Sequence, residues 1–290
     1  MPVRSQAVGS STEEFLLEVT PRLTMAYASG IGDPNPCYMD DASSEPVLAP
    51  PAFCVSPEWP PVVSLPRAVD LGTSAEEAVR GVHALQDSVF HRPIRAGDRI
   101  RTRGVLVAVR ATRAGAYTLT RVDSVLDPDE EPVVTSFYGS MFRGVEVLGP
   151  DREIDAPPDF PKPDAGAALD ASLRIATGPQ IAHIYTECAR IWNPIHTERR
   201  VAKGAGLPDI IVHGTALWAL ASRELVNRCA QGEPWRLRRL SGRFTGMVIP
   251  GETLELSYTS SPAPDGSVRY LLENESGAAA ISDGLASFDL

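Results

Sequence analysis

Alternating apolar and polar positions predict two sets of four β-strands, one set in each half of the chain. Both sets are rich in Val, Leu, Thr and Tyr, and turns containing Gly, Asp or Pro separate the strands. The first set covers residues 84–90, 99–109, 117–125 and 133–142. The second set covers residues 237–244, 253–258, 267–273 and 279–289. Consecutive strands joined by short turns are typical of antiparallel sheets.

A long apolar stretch predicts a buried helix before the second set of strands. Residues 215–229 are apolar at helical intervals, and Gly214 precedes them. Shorter helices are predicted over residues 180–190 and 198–203. Prolines interrupt the corresponding stretch of the first half, residues 49–61, so its central helix is expected to begin differently or to be short. Each half is thus predicted to be one buried helix wrapped by an antiparallel sheet, an α+β fold.

Two sequence motifs occur twice, in the same order. The pairs are residues 27–38 with 185–196, and residues 90–100 with 244–254. Tyr27 and Tyr185 are 158 residues apart (185 minus 27), and so are Asn35 and Asn193. The second motif repeats at nearly the same distance, 154 residues (251 minus 97). A period of this length indicates a duplicated domain rather than a solenoid.

The two copies of the first motif differ in their chemical groups. Alignment pairs Tyr38 of the first copy with His196 of the second, and Asp33 with Ile191. The first copy therefore has an acid and no histidine, whereas the second has a histidine and no acid. This asymmetry predicts two fused units, of which the first is not catalytic.

The proline-rich and acidic stretch 150–167 is predicted to be a linker, because it cannot pack a core. It would separate an N-terminal unit of residues 1–149, whose first dozen residues are expected to be loose, from a C-terminal unit of residues 168–290. A chain of 290 residues is long enough for two domains of ordinary size.

Composition excludes several classes of function. A net charge of −10 and a pI near 5.0 argue against a nucleic-acid partner. The four cysteines lack the spacing of a zinc site, so no metal is expected. Neither a secretory leader nor a membrane-spanning run of about 18 apolar residues is visible, and we expect a cytoplasmic protein with no membrane partner.

The repeated motifs resemble those of the MaoC-like dehydratases and (R)-specific enoyl-CoA hydratases. That family carries Gly-Asp-x-Asn-Pro-x-His with a tyrosine upstream, and a His-Gly or Gln-Gly that leads into a buried helix. Here the second half has Asn-Pro-Ile-His at 193–196 and His-Gly at 213–214, and the first half has Gly-Asp-Pro-Asn-Pro at 32–36. The resemblance covers most of both halves and implies a double hot dog fold, two tandem hot dog units.

The resemblance also implies the site residues. His196 would be the catalytic base or acid, Asn193 would orient it, and the backbone N–H of Gly214 would polarise the thioester carbonyl. The family's aspartate position is Ile191, so another group or a water would have to replace it. Auxiliary candidates are Tyr185, His213, Asp33 and Glu187. Candidates for the acyl pocket are Trp192, Trp218 and Trp59.

Less specific explanations exist for these residues. Asn-Pro commonly starts a turn, so both motif asparagines also suit helix caps. His213 is expected to be structural, Asp33 to stabilise its own turn, and Tyr38 to fill the space of the missing histidine. The tryptophans suit a core as well as a pocket.

The function implied is that of a hydro-lyase, which dehydrates a 3-hydroxyacyl-CoA or carrier-bound acyl chain or hydrates the enoyl thioester. No cofactor is expected beyond the CoA or phosphopantetheine of the substrate, and a homodimer is the expected assembly. The missing aspartate leaves a second hypothesis, a MaoC-like enzyme of polyketide or specialised metabolism that catalyses cyclisation or pericyclic chemistry. A third hypothesis is a non-catalytic acyl-binding partner subunit.

Overall fold

A computed structural model of the chain describes residues 1–74, 77, 81–159 and 168–289. Its contacts divide the chain into two compact units, and each unit is assembled from separate stretches of sequence. The first unit consists of Met1–Leu17, Pro57–Val89 and Arg99–Asp159. The second unit consists of Glu18–Ser56, Phe90–Asp98 and Phe160–Leu290.

The first unit is built on one antiparallel sheet. The strands of this unit, including two outside the main sheet, are β1 (Val3–Arg4), β2 (Phe15–Glu18), β3 (Gly81–Phe90), β4 (Arg99–Thr112), β5 (Gly115–Leu126), β6 (Pro132–Arg143), β7 (Val147–Leu148) and β8 (Arg152–Glu153). The order in the sheet is β2-β4-β5-β6-β3, and β8 pairs with the other part of β4. The short strands β1 and β7 pair in parallel.

The helix α3 (Val55–Ala68) packs on this sheet despite its prolines. A 3₁₀ turn, Pro51–Cys54, precedes α3, and Pro60, Pro61 and Pro66 lie inside it. Near its end, Leu65 packs in a core with residues of β4, β5 and β6. The central helix of the first half thus begins differently from its counterpart, as the prolines predicted, and it still runs for 14 residues. Burial of its apolar side chains outweighs the local cost of the missing N–H groups.

The second unit contains five helices and five strands in the part of the chain that the structure describes. The helices are α1 (Pro21–Gly30), α2 (Pro36–Met39), α4 (Ile181–Ala189), α5 (Arg199–Gly204) and α6 (Gly214–Cys229). The strands are β9 (Ala171–Ala176), β10 (Leu237–Phe244), β11 (Thr253–Tyr258), β12 (Ser267–Glu273) and β13 (Ala279–Phe288). They form an antiparallel order β10-β13-β12-β11-β9.

The helix α6 forms the centre of the second unit. It packs against β10 and β13, and ten of its sixteen residues are buried. Because a helix that is apolar on most of its surface must be covered on all sides, the continuous apolar run at 215–229 marks it in the sequence. The first residue of this helix is Gly214, so its N-terminus lies at the motif that the sequence singled out.

The predicted strands agree with the observed ones to within three residues at either end. Two expectations for the N-terminal half are wrong. The first residues are not loose, since Val3 and Ser5 are buried and Val3 donates its N–H to the Glu146 carbonyl. The start of the expected linker is ordered too, because β8 pairs with β4; residues 160–167 lie outside the described residues.

The compact units also cross the predicted boundary between residues 149 and 168. Helix α1 belongs to the second unit because it packs against α4, the helix of the other copy of the motif. Both copies of the Tyr–Asn motif are therefore in one unit. Within the described residues, no helix combines the length and apolar character needed to cross a membrane.

Candidate active site

The turn that carries His196 is built by Asn193. The side-chain Oδ1 of Asn193 accepts a hydrogen bond from the Ile195 N–H at 3.4 Å, and the Asn193 carbonyl accepts one from the His196 N–H at 3.1 Å. These bonds cap the 3₁₀ turn Pro194–His196. Asn193 is thus a capping residue, and through the turn it fixes the position of His196.

The imidazole of His196 is held in one tautomer. Its Nδ1 lies 2.8 Å from the carbonyl oxygen of Ile211. Because a carbonyl can only accept, Nδ1 carries the proton and Nε2 keeps its lone pair. Burial lowers the pKa of His196 from 6.5 to about 4, and the bond to Ile211 offsets part of that shift. At neutral pH, His196 is therefore an uncharged imidazole with an unprotonated Nε2.

A second histidine, His213, is stacked on His196. The ring centroids are 3.7 Å apart and the planes make an angle of 24°. His213 is only 2% exposed, and its Nε2 lies 3.0 Å from the hydroxyl of Thr186. Burial, and then the proximity of His196, keep the pKa of His213 well below its usual value. The two rings thus form a neutral pair, in which His213 is buried and His196 is half-buried.

The helix α6 begins at the residue after His213. The carbonyl of His213 accepts hydrogen bonds from the N–H groups of Ala216 and Leu217, at 3.0 and 3.1 Å. Among the described residues, the N–H of Gly214 has no hydrogen-bond acceptor. First-turn N–H groups of a helix carry partial positive charge and favour a developing negative charge. The stacked imidazoles therefore lie beside a donor of the oxyanion-hole type.

Close packing favours glycine at position 214. A Cβ atom built there would lie 3.0 Å from a ring carbon of Phe244. Any larger residue would push the Phe244 ring aside or shift the start of the helix. Phe244 was not among the predicted site residues. The only signal for it in the sequence is that it aligns with Phe90 at the start of the second repeated motif.

The candidate Tyr185 joins the two copies of the motif. Its hydroxyl lies 3.1 Å from that of Tyr27, which in turn donates to the Ala52 carbonyl at 2.8 Å. Both tyrosines are completely or almost completely buried. Burial raises the pKa of Tyr185, so it stays protonated at neutral pH. Its ring centroid lies 5.1 Å from that of His213, so it supports the histidine pair from one side.

Asp33 is not brought to His196. Its carboxylate is 4% exposed, accepts from the Asn35 N–H at 3.2 Å, and lines a small cavity beside Ser222. Ser222 is about 12 Å along α6 from Gly214, where the imidazoles lie. Burial raises the pKa of Asp33. The acid stabilises its own turn, and it is placed away from the histidine pair.

The family's acid position in the second copy is filled by a buried aliphatic side chain. Ile191 is 3% exposed, and its N–H donates to the Thr186 carbonyl at 3.1 Å. The first copy repeats this bond between Asp33 N–H and the Ala28 carbonyl at 2.8 Å. The residue before each has a left-handed backbone, with φ of 58° at Arg190 and 64° at Gly32. The two copies thus share a backbone but not an acid.

The three tryptophans predicted to line a pocket lie in different surroundings. Trp218 is 0% exposed in the core of the second unit, whereas Trp192 is 55% exposed, with the Arg190 guanidinium 5.9 Å from its ring centroid. Trp59 is half-buried on α3. The remaining auxiliary candidate, Glu187, points to the surface. Trp218 therefore acts as a core residue, and Trp192 belongs to the outer surface near the His196 turn.

Sequence patterns did not predict the stacking of His196 on His213 or the bond from His196 to Ile211. The sixteen residues between the two histidines carry no periodic signal, and a backbone carbonyl has no sequence signature. In the described part of the chain, no group of three or more His, Cys, Asp or Glu residues could hold a metal ion.

Comparison with known families gives two matches along the chain. The MaoC like domain matches residues 160–266, and the FAS1-like dehydratase domain region matches residues 6–136. The chain is 27% identical over 263 residues to the 3-hydroxyacyl-thioester dehydratase Y of Mycobacterium tuberculosis, covering 88% of this chain and 86% of that protein. It is 32% identical over 126 residues to the probable enoyl-CoA hydratase 2 of Dictyostelium discoideum, covering 43% of this chain. That match spans only 42% of the Dictyostelium protein.

Solved structures share the fold at low sequence identity. The MaoC-like dehydratase of Phytophthora capsici superposes with a TM-score of 0.83 at 20% identity, covering 98% of this chain and 97% of that one. A Mycobacterium tuberculosis protein described as having a double hotdog fold gives a TM-score of 0.61 at 17% identity, with 97% of each chain covered. The predicted fold class is therefore confirmed. The chain has a double hot dog fold, with a match to the MaoC like domain in its second half and to a FAS1-like dehydratase region in its first.

Proposed function

We propose that this protein is a hydro-lyase that interconverts a 3-hydroxyacyl thioester and the corresponding enoyl thioester, and that only the second copy of the motif is catalytic. The observation that carries the proposal is the neutral imidazole of His196, whose Nδ1 is bound to Ile211 and whose Nε2 is free to act as a base. The names of the relatives, a 3-hydroxyacyl-thioester dehydratase and a probable enoyl-CoA hydratase, support the same reaction class.

In the dehydration direction, Nε2 of His196 removes the acidic proton from C2 of the substrate. The electron pair of the C2–H bond moves towards the thioester carbonyl, whose oxygen gains negative charge. The N–H of Gly214 donates to that oxygen, and the dipole of α6 adds to the stabilisation. The base and the N–H donor act on the same step, and each lowers the free energy at which the enolate forms.

The second step uses the proton that His196 has just received. The imidazolium donates it to the C3 hydroxyl, the C3–O bond breaks, and the C2=C3 bond forms as water leaves. His196 is neutral again, and the atoms balance with one water released. A single base that carries one proton from C2 to the leaving oxygen fits a site with Ile191 at the acid position and Asp33 elsewhere. Hydration is the same path in reverse.

The remaining residues position the base. Asn193 caps the turn of His196, and His213 stacks on its ring. Burial lowers the pKa of His196, so that Nε2 is unprotonated and able to accept a proton in the resting enzyme. Tyr185 and Thr186 hold His213 in place. We propose no metal or redox cofactor, since the substrate's own thioester acidifies C2.

The proposal is tested by mass spectrometry of the purified protein with a panel of enoyl and 3-hydroxyacyl thioesters of CoA and pantetheine. The expected result is gain or loss of one water, with a rate that falls about 10²–10⁴-fold in His196→Ala. The matched control is Tyr38→Phe, the equivalent residue of the first copy, which should stay within about twofold of the unmodified rate. Equal rates for His196→Ala and the unmodified protein would contradict the assignment.

If no thioester changes mass, the hydro-lyase proposal fails. The cyclisation hypothesis would then be tested with a complete polyketide chain, and the binding-subunit hypothesis by measuring acyl-thioester affinity without turnover.

A further inference from the structure

A group of basic side chains surrounds the turn that carries His196. Residues 190–203 contain four Arg or Lys residues and one acid, Glu198, in a chain whose net charge is −10. All four basic side chains are exposed. The surrounding protein is acidic, so this is a local reversal of the charge of the molecule.

Three of these basic groups are free of ion pairs. Arg199 donates to the carboxylate of Asp209 at 2.9 Å. Among the described residues, no carboxylate lies within ion-pair distance of Arg190, Arg200 or Lys203. These three residues are called the basic strip below. Lys203 is close enough to Asp209 to help lower the pKa of that carboxyl, and Arg190 lies over the Trp192 ring, but none of the three forms a direct ion pair with a described residue. Exposed cations outside an ion pair are available to a partner molecule.

The basic strip lies next to the catalytic turn. Helix α5 starts three residues after His196 and packs on the Pro194–His196 turn. Arg200 is four residues from His196, hence no farther than about 14 Å along the chain. Arg200 and Lys203 are one helical turn apart and share a face, while Ala202 is buried underneath. A partner bound to this face would be held beside the base.

An exposed aromatic residue, Trp192, lies four residues before His196 in the chain. Trp192 is 55% exposed, and the guanidinium of Arg190 lies 5.9 Å from its ring centroid. Trp and Arg are the residues most enriched at the centres of binding interfaces, where they supply a large contact area. Because Trp192 is exposed, it does not contribute to the core, and its ring is available for contact with a partner.

We propose that the basic strip and Trp192 form the docking surface for an acidic acyl-carrier protein, which delivers the thioester to His196. The inference rests on the proposed function. Arg200 and Lys203 lie on an exposed helix face, and Arg190 lies outside that helix. Cations spread in this way are complementary to a protein surface of opposite charge. Phosphate groups of a free coenzyme are usually held by donors that converge on one point. The exposed acid Glu198 lies between Arg190 and Arg200 in the chain and would help to set the register of such a partner.

The test compares one acyl group on three carriers: a purified acyl-carrier protein, CoA and pantetheine. The variant is Arg200→Glu with Lys203→Glu. A matched control, Arg113→Glu with Arg143→Glu, reverses two exposed arginines of the first unit and gives the same net charge. The docking proposal predicts that KM for the carrier-bound substrate rises about tenfold or more in the first variant only, and that added salt raises KM in the unmodified protein. In the first variant, kcat/KM for the pantetheine thioester should stay within about twofold of the unmodified value. In a separate variant, Trp192→Ala should also raise KM for the carrier-bound substrate.

Three results would overturn the proposal. One is an unchanged KM for the carrier-bound substrate, and another is an equal rise for the CoA thioester, which would assign the strip to coenzyme phosphates. The third is dissociation of a homodimer in the charge-reversed variant, which would assign the surface to a second copy of the chain. If no thioester is converted at all, the proposed function fails, and affinity for the acylated carrier protein, measured by calorimetry, still decides the docking proposal.

Discussion

The first and second copies of the Tyr–Asn motif have the same backbone and different chemical groups. In each copy a tyrosine hydroxyl meets that of the other, and an asparagine Oδ1 caps the following turn, at 3.1 Å for Asn35 and 3.4 Å for Asn193. A left-handed residue precedes the acid position in both. The frame is therefore independent of catalysis, and it can be kept while the catalytic groups are replaced.

The first copy lacks the equivalent of each group that we propose to be catalytic in the second copy. Ala49 donates to the Ile94 carbonyl as Val212 does to that of Val248, both at 2.8 Å. These equivalent bonds show that Ala49 corresponds to Val212. The next two residues, Pro50 and Pro51, therefore correspond to His213 and Gly214. Proline has no N–H, and the equivalent of His196 is the buried Tyr38. The first copy thus has neither a base nor a donor at its helix start.

Replacing Gly214 by proline would give the second copy the helix start of the first. Proline is well tolerated at the first position of a helix, so α6 should form, but the N–H donor is lost. We expect kcat to fall about 10²–10³-fold, the usual effect of removing one oxyanion-hole donor. The measurement is steady-state turnover of an enoyl thioester.

The control for this variant is Gly214→Ala, which keeps the N–H and adds only the contact with the Phe244 ring. Its kcat should fall much less than that of Gly214→Pro. Equal losses in the two variants would show that packing against Phe244, rather than the N–H donor, is what the glycine provides.

Replacing Ile191 by aspartate would give the second copy the acid that the first copy has at Asp33. Ile191→Asp would place a carboxylate in a site that is 3% exposed, whereas Asp33 of the first copy has the cation of Arg223 nearby. We expect the free energy of unfolding at pH 7 to fall by about 3 kcal/mol or more, because the new charge is buried without a partner. Urea denaturation measures it, and Ile191→Val, which should cost about 1 kcal/mol, is the control. A loss no larger than that of Ile191→Val would mean that the site can hold an acid.

The histidine pair makes the second copy sensitive to acid. The folded pKa of His196 is about 4, below the unfolded value of 6.5, so the unfolded chain binds the proton first as pH falls. Its contribution to stability is complete above pH 6.5 and is lost as pH falls towards 4. We expect a loss on the order of 2–3 kcal/mol over that range, and a smaller loss in His196→Gln. Urea midpoints at pH 7.5, 6 and 5 would measure it; identical pH dependence in the two proteins would contradict the buried, neutral histidine.

The sequence predicted the parts of the fold that depend on local periodicity. The four strands of β10–β13 and the helix α6 follow from alternation and a continuous apolar run, and the duplicated motifs predicted the repeat. The assignment of residues 18–56 to the second unit was not predictable, because it depends on the packing of α1 against α4 across some 150 residues. The three prolines inside α3 contradict a local rule that tertiary packing overrides.

For the site, the sequence supplied candidates but not their arrangement. His196, Asn193 and Gly214 could be named from a motif, since turn capping and a helix start leave local signals. The stacking of His196 on His213, and the separation of Asp33 from both, arise from the path of the chain around α6. Those contacts are tertiary, and no spacing along the sequence encodes them.

The proposed function depends on His196 being neutral in the resting protein, with an unprotonated Nε2. The protonation of the two ring nitrogens can be measured by ¹⁵N NMR of the imidazoles. Titration of the resting protein, with His196→Gln used to assign the signals, gives both the tautomer and the pKa of this residue. We expect a proton on Nδ1 and a midpoint near 4. A midpoint near 6.5, or a proton on Nε2, would contradict it.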